Sequence, residues 1–276
     1  QTRLPKNTKR LAKSCFLSCK MVKIFPLYSG SGGNCTLVQS DNANLLVDVG
    51  LGCRATLSAL KMYNLSLSDI TAIVVTHEHS DHIGGISSFV SHSPVPVYAP
   101  KAIANLVAKR ATCCDVSGIA DATEIADLRI DRYECSHDAT ACYGYRFSDG
   151  TNSVATVTDT GCVTTGLVDF LAPCDRIQLE SNHDVDMLKS GPYPYPLKRR
   201  ILSDFGHLSN AQATQVLSDL VGSNVKSVIL AHLSEHNNTA ELAFNNVVNM
   251  YADKGLVEGR DISVYVAKQH DNTVIK

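Results

Sequence analysis

Four potential metal ligands, His77, His79, Asp81 and His82, fall within six residues, just past the apolar run Ala72-Ile73-Val74-Val75. Few turns of chain are so constrained. Three imidazoles in six positions are costly to satisfy in an ordinary polar turn, whereas histidines two apart in a loop can converge on one cation. The adjacent Asp81 and His82 can then face a second cation, and mixed imidazole and carboxylate donors suit zinc, manganese or iron. A short buried strand ending at such a loop gives catalytic groups a rigid edge from which to project. Gly84 and Gly85 follow, small enough for the backbone to pass close to the metals and begin a helix.

Strand patterning extends in both directions from this loop. Lys23–Leu27, Cys35–Gln39 and Asn44–Asp48 are short apolar, β-branched runs separated by glycine-rich and Ser-Asp-Asn-Ala turns, and they read as consecutive antiparallel strands. Cys53–Tyr63 carries apolar residues at helical spacing. Further strands are expected near Arg129–Tyr133, Tyr143–Phe147, Ser153–Thr158, Arg176–Leu179, Ser227–Leu230 and Ser263–Val266, with helices near Ile103–Arg110, Asn210–Leu220 and Ala240–Tyr251. This order predicts an α/β chain with two sheets face to face and helices outside.

A chain of 276 residues, 44% of them hydrophobic, can bury a sizeable core. No internal repeat or low-complexity linker divides it, so residues 21–276 read as one domain. Ten cysteines are scattered without a C-x-x-C pair, which points to reduced thiols in the cytoplasm, with Cys135 and Cys142 able to face each other across a hairpin. No apolar run approaches the roughly 20 residues that cross a bilayer. Residues 1–20 hold Arg3, Lys6, Lys9, Arg10, Lys13 and Lys20 with no acid and no long apolar stretch, unlike a secretory signal. With a strand beginning just after Met21, they read as a leader or appended segment, a genuine basic arm being the alternative. Removing those six cations from 25 leaves 19 against 27 acids, a formal charge of −8, which argues against an extended polyanion-binding surface.

Thr76-His77-Glu78-His79-Ser80-Asp81-His82 resembles the signature of the metallo-β-lactamase superfamily, which implies an αββα four-layer sandwich. In that fold the remaining ligands come from loops at the same edge. The sequence offers His137 in Cys135-Ser136-His137-Asp138, Asp159 in Thr158-Asp159-Thr160-Gly161 and His232 in Ala231-His232-Leu233-Ser234, each after a strand-like run. By resemblance, His77, His79 and His137 hold one metal, Asp81, His82 and His232 a second, and Asp159 bridges both. Two divalent ions, zinc or manganese with iron a further candidate, are therefore expected.

The resemblance runs from about Met21 to the C-terminus. Ser29-Gly30-Ser31-Gly32-Gly33-Asn34-Cys35, Asp48-Val49-Gly50-Leu51, the stretch Glu180–Leu188, Lys198–Asn210 and Ala231–Asn238 are similar to the YycJ/WalJ family of bacterial metallo-hydrolases. That family acts on DNA from the 5′ end, so phosphodiester hydrolysis, with DNA favoured over RNA as partner, is what the likeness implies. A pair of metals about 4 Å apart can bind a bridging hydroxide as nucleophile and neutralise phosphoryl oxygens. Asp81 would orient or deprotonate that water. His207 resembles the histidine of ribonuclease Z enzymes that contacts the scissile phosphate, with Glu180 as the carboxylate that orients it. His183 and His236 are candidates for substrate contact or for support behind the site.

Lys198-Arg199-Arg200, beside the aromatics of Gly191-Pro192-Tyr193-Pro194-Tyr195-Pro196, is the one dense basic cluster after residue 20. Guanidinium groups take phosphates and tyrosines stack on bases, although a charge run is usually only a solvated face. The proline-rich stretch reads as a stiff loop placing the cluster near the site. Two other readings compete: hydrolysis of a thioester, lactone or β-lactam, and a binding protein with a degenerate site. Every ligand position is filled, which opposes the second. A bridging aspartate resembles nucleases and glyoxalase II rather than β-lactamases, which opposes a lactamase.

Overall fold

The computed structural model describes residues 21–269 and 274–275, so the basic segment 1–20 lies outside the described residues. Its first sheet is built from β1 (Lys23–Tyr28), β2 (Cys35–Gln39), β3 (Asn44–Val47), β4 (Ala72–Val74), β5 (Val97–Pro100) and β6 (Val116–Ile119), in that spatial order. β1 to β3 form an antiparallel meander, and β3 to β6 run parallel. Parallel neighbours require crossovers. These are supplied by α1 (Cys53–Lys61), α2 (Ser80–Ile83), α3 (Ile86–Val90) and α4 (Ala104–Ala108).

The second sheet contains β7 (Ala122–Ile125), β8 (Leu128–Glu134), β9 (Tyr143–Ser148), β10 (Ser153–Val157), β11 (Arg176–Glu180), β12 (Ser227–Ala231), β13 (Ser263–Ala267) and β14 (Val274–Ile275), ordered from β14 to β7. Its helices are α5 (Thr165–Leu171), α6 (Val185–Ser190), α7 (Tyr195–Ile201), α8 (Asn210–Asp219) and α9 (Ala240–Asp253). β10 and β12 are buried at every residue, as strands covered on both faces must be, and their Ser-Val-Ala-Thr-Val and Ser-Val-Ile-Leu-Ala sequences carry no charge to bury.

Three buried clusters define four layers. Ile24, Val38, Leu45 and Val74 of the first sheet pack against Ile130, Tyr145, Phe147 and Val154 of the second. Outside, Leu60, Ile86, Phe89 and Val107 cover the first sheet, while Leu171, Val216, Leu217, Val247 and Tyr251 cover the second. Truncating a fully buried phenylalanine such as Phe147 would cost about 3–5 kcal/mol. Among the described residues, no helix is long and apolar enough to cross a membrane.

Gly85, at the start of α3 as expected, and Gly50 both lie at close backbone contacts. A Cβ on Gly85 would lie 1.8 Å from the Leu51 carbonyl oxygen, and one on Gly50 1.8 Å from that of Asp81. Their absent side chains let the segment after β3 lie directly against α2, backbone to backbone. Cys135 and Cys142 do face each other, joined by a 2.9 Å bond from the Cys135 N–H to the Cys142 carbonyl, and both thiols are free.

Candidate metal centre

The candidate ligands meet at one edge because their strands run the same way. β10, β11 and β12 are mutually parallel, and β8 is aligned with them through two antiparallel pairings by way of β9. His137, Asp159, Glu180 and His232 therefore end or follow strands side by side. From the other sheet, the loop after β4 delivers His77 and His79, and α2 adds Asp81 and His82.

One donor atom from each residue lies within 4.8 Å of the others in four overlapping groups: His77, His79 and His137; His77, His82 and Asp159; Asp81, His82 and His232; Asp159, Glu180, His207 and His232. Asp159 stands between the histidines, its Oδ2 3.3 Å from His82 Nε2 and its Oδ1 3.4 Å from His232 Nδ1. His77 Nε2, Asp159 Oδ2 and His232 Nε2 are buried with no hydrogen-bond partner. Buried polar atoms are nearly always paired. Orphaned nitrogen and carboxylate donors converging on one place fit divalent metal ions.

The imidazoles are held from behind. His137 Nδ1 donates to the Gly206 carbonyl at 3.0 Å, His82 Nδ1 to Asp48 Oδ2 at 2.7 Å and His232 Nδ1 to Glu180 Oε1 at 2.8 Å. A proton on each of these nitrogens leaves Nε2 free to act as ligand. Asp48 is itself fixed by the Thr76 N–H at 2.8 Å and the Thr76 hydroxyl at 2.7 Å. Asp48, Asp159 and His232 all have left-handed backbone, with φ of 62°, 58° and 57°. Such conformations are rare outside glycine and gather at functional sites.

Electrostatics point the same way. Burial opposes a charged His232, yet Asp159, Asp81 and Glu180 hold its pKa at about 10. Burial pushes the Glu180 carboxyl up, and His207 and His232 overcome it, leaving a value of about 2. Burial likewise raises Asp159, but His232 and His82 pull it well below the usual carboxylate range. Carboxylates that hold protons on neighbouring imidazoles this firmly will exchange those protons for a metal cation.

His207 lies at the rim, its side chain 14% exposed, with Nδ1 2.9 Å from Glu180 Oε1. The capping box of α8, in which Ser209 and Gln212 satisfy each other's backbone N–H, fixes where that helix begins and so where His207 sits. Leu208 and Thr160 both donate backbone N–H groups to Glu180 Oε2 at 3.0 Å.

A family profile described as Metallo-beta-lactamase superfamily matches residues 28–232. The chain belongs to that superfamily. Exodeoxyribonuclease YycJ of Bacillus anthracis is 36% identical over 244 residues, covering 87% of this chain and 92% of the relative. Exodeoxyribonuclease WalJ of Streptococcus pneumoniae is 35% identical over 246 residues, covering 87% and 91%. Among solved structures, the metallo-beta-lactamase fold protein YhfI from Bacillus subtilis has a TM-score of 0.71 at 20% identity, covering 92% of this chain and 98% of its own.

Around this metallo-beta-lactamase centre, the residues expected to touch substrate are placed unevenly. Lys198, Arg199 and Arg200 lie on α7, which begins at Tyr195, so only the first part of the proline-rich stretch is a loop. Pro196 is tolerated in the first helical turn, where its missing N–H would have no partner. Lys198 Nζ donates to the Lys189 and Gly191 carbonyls, both at 2.7 Å. Arg200 pairs with Asp138, while Arg199 is exposed and has no hydrogen bond or ion pair among the described residues. His236 is exposed, with its ring 5.8 Å from that of Tyr193. His183 is fully buried, both ring nitrogens lack a partner, and burial pulls its pKa down to about 4.

Three contributors had no assigned role in the sequence. Asp48 and Thr76 brace His82, and Asn34 Nδ2 lies 3.0 Å from His82 Nε2 and 3.2 Å from Asp81 Oδ2. Asp48, between an apolar run and Val49-Gly50, looks like any turn residue, and the sequence marks it only through the Asp48-Val49-Gly50-Leu51 resemblance, with no role attached.

Proposed function

We propose that this chain is a dinuclear metal-dependent nuclease that removes nucleotides from the 5′ end of DNA. His77, His79 and His137 are assigned to one metal, Asp81, His82 and His232 to the other, and Asp159 to both, with zinc or manganese favoured and iron compatible. Bound metals would supply positive charge for the phosphoryl oxygens and the acidity that makes a nucleophile at neutral pH. Asp81, whose side chain is 23% exposed, would orient the attacking water. His207 donates its Nδ1 proton to Glu180, which leaves Nε2 to meet the phosphate and assist the leaving oxygen. Arg199 would grip a flanking phosphate without reading bases.

The observation that carries the reading is His207 itself. A ring at the rim of the ligand cluster, backed by a carboxylate whose pKa is about 2, suits charge developing on a phosphate. Relatives of matching length bear the name exodeoxyribonuclease, which supports DNA as substrate, and the 5′ polarity follows the YycJ/WalJ resemblance. Residues 21–276 are read as one catalytic domain because the two sheets share the core between them. The eight free thiols of the described residues suit the cytoplasm.

The test is purified protein with Mn²⁺ or Zn²⁺ on 5′-phosphorylated duplex DNA, scored for mononucleotide release. Faster turnover of RNA, or of a thioester or lactone, would reject the assignment.

A further inference from the structure

Asp138 directly follows the candidate ligand His137, and its Oδ1 lies 3.4 Å from His137 Nε2, the nitrogen that faces the metal centre. The same carboxylate takes both arms of Arg200, with Nη2 donating to Oδ1 at 2.8 Å and Nε donating to Oδ2. The pair is set on firm supports at both ends. The Asp138 N–H donates to the Phe205 carbonyl at 3.1 Å, and the His207 N–H donates to the Ile201 carbonyl at 3.1 Å. Arg200 is therefore tied through one short segment to His207, and its guanidinium also feels the charges of Asp81 and Asp159. Arg200 and Asp138 remain 47% and 34% exposed, and an ion pair that open to water is weak enough to exchange partners.

Resting on the nuclease reading, we propose that Arg200 binds a phosphate at the mouth of the metal centre and that Asp138 is a positioning residue that holds it ready until substrate arrives. A guanidinium offers the same two-pronged geometry to phosphate oxygens as to a carboxylate. Arriving phosphate takes over the arms of Arg200, and Asp138 is left to solvent. The negative charge of Asp138 also sets a threshold, because only an anion that competes with a carboxylate gains the arginine. Arg200 thus differs from Arg199, which has no partner to give up.

The test measures inorganic phosphate binding by calorimetry on the metal-loaded protein, alongside kcat, KM and salt dependence on 5′-phosphorylated DNA. Arg200→Met should weaken phosphate binding and raise KM about tenfold or more, and should reduce the salt slope by about one. Asp138→Asn should act in the opposite direction, tightening phosphate binding and lowering KM. The double variant should match Arg200→Met, since Asp138 acts through the arginine. Arg200→Lys should recover only part of the loss, because an ammonium cannot make the two-pronged contact. Weaker phosphate binding in Asp138→Asn, or unchanged binding and salt slope in Arg200→Met, would overturn the proposal even if DNA is cut normally. Arginine-dependent phosphate binding in a protein that cuts no DNA would reject the nuclease reading and leave the anion site standing.

Discussion

Glu180 Oε1 lies 2.9 Å from His207 Nδ1, on a carboxylate with no exposure to solvent, so a rim histidine is governed from the interior. The two residues should fail differently. His207→Ala should lower kcat by about a hundredfold to a thousandfold while the melting temperature holds. Glu180→Ala strands the Thr160 and Leu208 N–H groups and releases His232, so about 2–4 kcal/mol of stability should go with the activity. Parallel melts and single-turnover rates check the contrast, and equal stability loss in both variants would contradict it.

Metal removal is the second expectation. Dialysis against a chelator should abolish hydrolysis and lower the melting temperature, because ions bound only by the folded state stabilise it. Reconstitution should restore both, with two ions per chain by elemental analysis. A content that stays at or below one ion would reject the bridging role of Asp159.

Asp81→Ala and Asp159→Ala should each cut turnover by about a thousandfold or more, since each positions metal and water rather than packing a core. Far-ultraviolet circular dichroism should be unchanged. Near-full turnover in either variant would show that its assigned role is wrong.

His183 gives a pH signature. Its folded pKa of about 4 lies below the unpaired value near 6.5, so the unfolded chain binds the proton first. The penalty is absent above pH 6.5 and grows as pH falls toward 4, reaching about 2 kcal/mol at pH 5. Urea melts of metal-free protein at pH 7.5 and pH 5 should show His183→Gln losing less stability than the parent by that amount. Identical pH dependence would mean that His183 is not held neutral.

The basic cluster should act through one member outside the Asp138 pair. Arg199→Ala should weaken DNA binding and reduce its salt slope by about one, whereas Lys198→Ala should leave the slope alone because its ammonium is committed to two carbonyls. Binding measured across a range of salt concentrations distinguishes them.

The candidate ligand loop stands out in the sequence because metal chemistry would crowd unusual residues into few positions, and most of the buried strands because uncharged apolar runs have few other uses, although the buried β5, set among Pro94, Pro96 and Pro100, gives no such signal. β6 and β7 escaped notice for the opposite reason. They are the outer strands of their sheets, each with a single buried residue, so no alternation betrays them. α7 was hidden by its prolines, which signal a loop until their place in a first helical turn is seen. Asp48 and Asp138 bond to partners 28 to 62 residues away, and no local pattern announces a contact made across the fold.

The left-handed backbone at Asp48, Asp159 and His232 sets a trap for engineering. A glycine at any of the three would relax that conformation by about 1 kcal/mol. That gain is smaller than what these side chains hold in place, since Asp48 carries three buried hydrogen bonds and His232 is bonded to Glu180, so glycine there would cost stability and chemistry together.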